Sequence, residues 1–67
     1  MSEFIKTNLI IMLDREFDRT IARIARKERK IAETPSFREK AKLANEAAEL
    51  EDYANQLYNM ALEILEG

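Results

Sequence analysis

The chain predicts an all-α fold: an antiparallel two-helix hairpin that assembles as a homodimeric four-helix bundle. Three observations lead there. Apolar residues recur at helical spacing on both sides of Pro35, the only proline, with no alternating strand pattern. The segments on either side of that proline are nearly equal in length, and their apolar rows are wider than one hairpin can cover. A single Gly and a single Pro leave room for little loop, so the whole chain reads as one helical-hairpin domain, 1–67.

The first helix is expected over about residues 3–33. Ser2 followed by Glu3 supplies its cap. Ile10, Leu13, Phe17, Ile21, Ile24 and Ile31 form an apolar stripe, with Glu28 as a local misfit. The run Leu9 to Leu13 is apolar all round and follows Phe4 and Ile5. It is too short for a signal-peptide core or a membrane span, so a cytoplasmic protein with no membrane partner is expected.

Pro35 excludes the α conformation at Thr34 and fits the first turn of a following helix, which places a hinge at about 33–36. Two starts compete for the second helix: Thr34 capping Pro35 as first helical residue, or Ser36 with Glu39 as a capping box. That helix is expected over about 35–65, with Gly67 beyond its end. Leu43, Ala47, Leu50, Ala54, Leu57, Ala61 and Ile64 step by four and three without a break, a heptad seam alternating Ala with large aliphatics. At 1.5 Å per residue each helix is about 45 Å long, and a short turn makes them antiparallel neighbours.

The second helix carries a further row, Phe37, Ala41, Ala44, Ala48, Tyr58, Leu62 and Leu65, rotated roughly 100° from the seam and interrupted by Glu51. A chain of this size without disulfide or metal has association as its remaining route to stability, and neither Cys nor His is present. The candidate oligomer interface is therefore Leu9, Ile10, Leu13 and Phe17 with Ala44, Ala48, Tyr58, Leu62 and Leu65. A docking face for a different protein is the competing use of the same surface. Tyr53 and Met60, at the edge of the seam, suit either. Glu28 and Glu51 are expected at partly wet edges, or as a register-setting ion pair.

Net charge is −2, but its distribution is uneven. Arg23, Arg26, Lys27, Arg29, Lys30, Arg38, Lys40 and Lys42 gather around the hinge and form the candidate binding tip. Glu3, Asp14, Glu46, Glu49, Glu51, Asp52, Glu63 and Glu66 lie toward the other end, with Lys6 among them. The macrodipole favours cations near the end of the first helix, not at the start of the second. Arg15, Arg19 and Arg23 are expected level with Asp52, Glu49 and Glu46, which would offset their mutual repulsion.

Without His or Cys the usual general bases, nucleophiles and transition-metal ligands are missing, and the only glycine is the last residue, so no phosphate-binding loop exists. Asp14 and Asp18 are four apart but lack an accompanying metal motif. The expectation is no enzyme, no cofactor and no metal. The leading reading is a small dimeric regulator or inhibitor that docks on a larger protein. The alternative is binding of structured RNA through the basic tip. Two further readings are sequestration of a small anionic ligand such as a nucleotide, and a structural oligomerisation module.

Overall fold

The computed structural model describes residues 2–67. Helix α1 spans Glu3–Glu33 and α2 spans Phe37–Glu66, and the two pack on each other. Lys27 meets Glu46 and Glu16 meets Tyr53, so contacts retreat along α1 as they advance along α2. The pair is an antiparallel hairpin.

Side chains cap the start of each helix and close the hinge. At the start of α1, Ser2 Oγ accepts from the Ile5 N–H at 3.2 Å, satisfying one of the donors a helix leaves free. Thr34 terminates α1: its backbone N–H and its Oγ1 both donate to the Lys30 carbonyl, at 2.9 and 2.6 Å. Its ψ of 125° is extended, as a residue before proline requires. Ser36, also extended, caps α2 by accepting from the Glu39 N–H at 3.3 Å. The second of the two expected starts is thus the one adopted. Pro35 precedes the cap instead of opening the helix, because Thr34 is already engaged by α1. At the far end the Gly67 N–H donates to the Glu63 carbonyl at 2.9 Å.

The core lies along the line between the helices. Ala47, Ala54 and Leu57 are buried on α2, flanked by half-buried Leu43, Leu50, Ala61 and Ile64. On α1 the buried residues are Thr20 and Ile24. Ile21, expected in this stripe, is instead 44% exposed, and Thr20 is 1% exposed. The cause is the period of the seam. Positions 10, 13, 17, 20, 24, 27 and 31 alternate threes and fours and stay facing α2, whereas two consecutive steps of four, 13 to 17 to 21, each drift about 40° the same way. Thr20 tolerates burial because its Oγ1 donates to the Glu16 carbonyl at 2.8 Å. Among the described residues no buried side-chain polar atom lacks a partner.

The Cα framework measures 51 × 15 × 10 Å, two helices wide and one helix thick. Domains ordinarily bury their apolar faces between two packed layers. In this single layer five of the described residues are buried, while Phe4, Met12, Phe37, Tyr58 and Leu65 are each more than half exposed. Among the described residues no helix is long and apolar enough to cross a membrane.

Candidate functional site

The hairpin has two unlike sides, which its cross-helix contacts distinguish. On one, Lys27 Nζ donates to Glu46 Oε2 at 2.8 Å, and Tyr53 OH donates to Glu16 Oε1 at 3.3 Å. The second oxygen of Glu16 accepts from Arg19 Nη1 at 3.3 Å. Lys27 occupies a seam position, so its aliphatic stem lies along the helix junction while its ammonium reaches the rim. The hydrogen bond and charge of Lys27, reinforced by Lys42 and Lys30, hold the Glu46 carboxyl below its ordinary pKa.

This differs from the expected alignment of Arg15, Arg19 and Arg23 with Asp52, Glu49 and Glu46. Glu46 is taken by Lys27, one turn nearer the hinge than Arg23, and Arg19 turns to Glu16 on its own helix. A stripe with steps of four precesses about 40° per step, so Arg23, Arg19 and Arg15 walk progressively away from the junction. Among the described residues neither Asp52 nor Glu49 forms an ion pair.

The other side is apolar. Ile10, Leu13, Asp14, Phe17, Leu57, Tyr58 and Ala61 line an open groove of about 290 Å³ between the helices. From there the exposed row of α2 runs toward the hinge through Ala48, Ala44 and Ala41 to Phe37, and toward the open end through Leu62 and Leu65. On α1, Ile21 and Ala25 share this side by helical spacing from Ile10 and Asp14. Glu51, within the α2 row, and Glu28, beside the α1 seam, are both exposed.

The residues proposed from sequence for an interface therefore divide. Ala44, Ala48, Tyr58, Leu62 and Leu65 are exposed and lie together along the apolar side. Ile10, Leu13 and Phe17 are half-buried in its groove, serving the hairpin itself. Leu9, about five turns before Lys27, lies on the Lys27 side. There it belongs to a smaller apolar patch at the open end, with Ile5, Met12 and Met60, which are 51%, 64% and 49% exposed.

The basic tip divides likewise. Arg23, Arg26, Lys27 and Lys30 converge around one shallow cleft of about 190 Å³, and Arg26, Arg29, Lys30 and Glu33 around its neighbour. Arg38, Lys40 and Lys42 line neither, since they project from different sides of α2. Asp14 and Asp18 are exposed, and the described residues contain no cluster of three or more acidic groups placed to hold a metal ion.

Sequence reasoning missed Thr20, and it missed the contact between Glu16 and Tyr53. The first has a signal, the heptad that passes from Phe17 to Ile24 through position 20. The second owes its existence to the register of the hairpin, which only the fold supplies. Comparisons with protein-family models, with curated proteins and with solved structures find no match to this chain.

Proposed function

We propose that this chain is a non-enzymatic binding protein: a homodimeric helical hairpin, completed as a four-helix bundle, that acts as a small regulator or inhibitor by docking on a larger protein. The observation that carries this reading is large apolar exposure on both sides of a single helical layer. The long face through Ala48, Tyr58 and Leu65 suits a second copy, whose hairpin would supply the missing layer. The patch of Ile5, Leu9, Met12 and Met60 lies on the opposite side and stays accessible when the long face is covered. Each large side chain fully withdrawn from water contributes about 1.5–3 kcal/mol, so either surface can drive association.

The test is a paired measurement. Sedimentation equilibrium of the wild type should give a dimer. Immobilised wild type should then retain a protein that a Met12→Asp/Met60→Asp variant, still dimeric, does not. Identical retention by both would remove the second patch from the reading.

One observation favours a second reading, binding of structured RNA. Arg23, Arg26 and Lys30 surround one cleft, and among the described residues Lys27 alone of that group is ion-paired. A labelled RNA hairpin titrated with wild type and with Arg26→Gln/Lys30→Gln tests it. Binding must weaken steeply with salt and be lost in the variant; no binding at low salt removes this reading.

A further inference from the structure

We infer that the second copy covers the apolar side in an antiparallel, two-fold arrangement, with α2 lying on the partner's α2, the axis passing at the level of residue 53, and the two hinges at opposite ends. The inference rests on the homodimer proposed above and specifies its geometry.

Side-chain size along α2 supplies the first argument. Between Phe37 and the open end, the exposed row is small on the hinge side, Ala41, Ala44 and Ala48, and large on the open side, Tyr58, Leu62 and Leu65. The two triplets mirror each other about residue 53. An antiparallel crossing there sets Ala48 against the partner's Tyr58, Ala44 against the partner's Leu62 and Ala41 against the partner's Leu65. Each of these three pairs then joins a small residue to a large one, the alternation that fills an interface at interior density. With hinges at the same end, no such mirror relates the row to its copy, and alanines would collect at one end of the bundle and bulky residues at the other. At the centre Glu51 comes level with the partner's Asn55, whose amide is a donor for the carboxylate. The two-fold axis repeats this contact, and a polar pair at the middle of a helical interface fixes register.

Charge supplies an independent argument. Residues 17–52, on the hinge side of that axis, hold nine basic and eight acidic side chains; the remainder holds two basic and five acidic. Antiparallel docking lays the cationic half of each copy along the anionic half of the other. Docking with both hinges at one end superposes like on like at each end, which is unfavourable at low salt.

The test uses the absence of cysteine. A single Arg38→Cys variant, at an exposed position near the hinge, carries one spin label per chain. Sedimentation of the labelled protein first establishes the number of copies, and the label-to-label distance in the dimer then reports orientation. With the axis at residue 53 the labels are separated by about 45 Å along the bundle, from 1.5 Å per residue on each side. Adding salt should also raise the dimer's dissociation constant, because attraction between opposite charges is screened. A dimer with labels within roughly 25 Å, the width of a helical bundle with side chains, overturns the orientation and leaves the homodimer standing. A monomer, or an assembly of more than two copies, overturns both.

Discussion

Lys27 Nζ lies 2.8 Å from Glu46 Oε2, and among the described residues this is the ion pair that joins α1 to α2. Both side chains are partly covered, at 26% and 38% exposure. The contact lowers the Glu46 pKa, so its stabilisation is present above the ordinary carboxylate value and is lost as pH falls through the folded-state value. Glu46→Gln should therefore melt below wild type at pH 7, and the gap should close on acidification toward pH 3. Thermal melts at one fixed protein concentration check this. A gap independent of pH would show that the carboxylate's charge contributes nothing.

Among the described residues Thr20 is the one polar residue buried in the seam, and its hydroxyl is satisfied inside its own helix. Thr20→Val removes the donor while the Glu16 carbonyl keeps its ordinary place in the helical ladder, so no buried group is orphaned. The expected change in stability is within about 1 kcal/mol. Thr20→Leu adds volume at a site packed against the buried face of α2 and should cost about 1–3 kcal/mol. Urea denaturation of the two variants gives the comparison, and equal effects would mean the site has room to spare.

The hinge depends on Ser36 more than on Thr34. Ser36 Oγ accepts from the Glu39 N–H, which otherwise has no partner in the first turn of α2. The Thr34 hydroxyl donates to the Lys30 carbonyl, which already accepts from the Thr34 N–H. Ser36→Ala should cost about 0.5–2 kcal/mol, and Thr34→Ala less. Chemical denaturation ranks them, and the reverse order would place the structural constraint in α1.

The α2 seam is legible residue by residue, because its heptad runs from Leu43 to Ile64 with an apolar residue at every step. On α1 the same heptad passes through Thr20 and Lys27, and a reading led by hydrophobicity prefers Ile21 to Thr20. Facing direction, not polarity, decides between them, and that depends on where α2 lies. The pairing of Lys27 with Glu46 was hidden for a related reason: charges spaced by four look aligned in sequence yet precess around the helix. Which apolar residues share a side is also unreadable until cross-helix contacts orient both helices. That is why Leu9 and Ile10, adjacent in sequence, fall on opposite sides of the hairpin.

Leu57 and Tyr58 are neighbours in the chain and should report on different equilibria. Leu57 is 6% exposed in the seam, and Tyr58 is 57% exposed on the apolar side. Leu57→Ala removes packing within each hairpin and should cost about 2–5 kcal/mol of folding free energy. Tyr58→Ser leaves the seam intact but removes a large side chain from the surface proposed to meet a second copy. Since burying such a group is worth about 1.5–3 kcal/mol, the dimer's dissociation constant should rise roughly tenfold or more. Circular dichroism at several protein concentrations, together with sedimentation, separates the two effects. If Tyr58→Ser self-associates as tightly as wild type, the apolar side is not the surface that pairs. If Leu57→Ala costs no more folding stability than Tyr58→Ser, the line between α1 and α2 is not where the core lies.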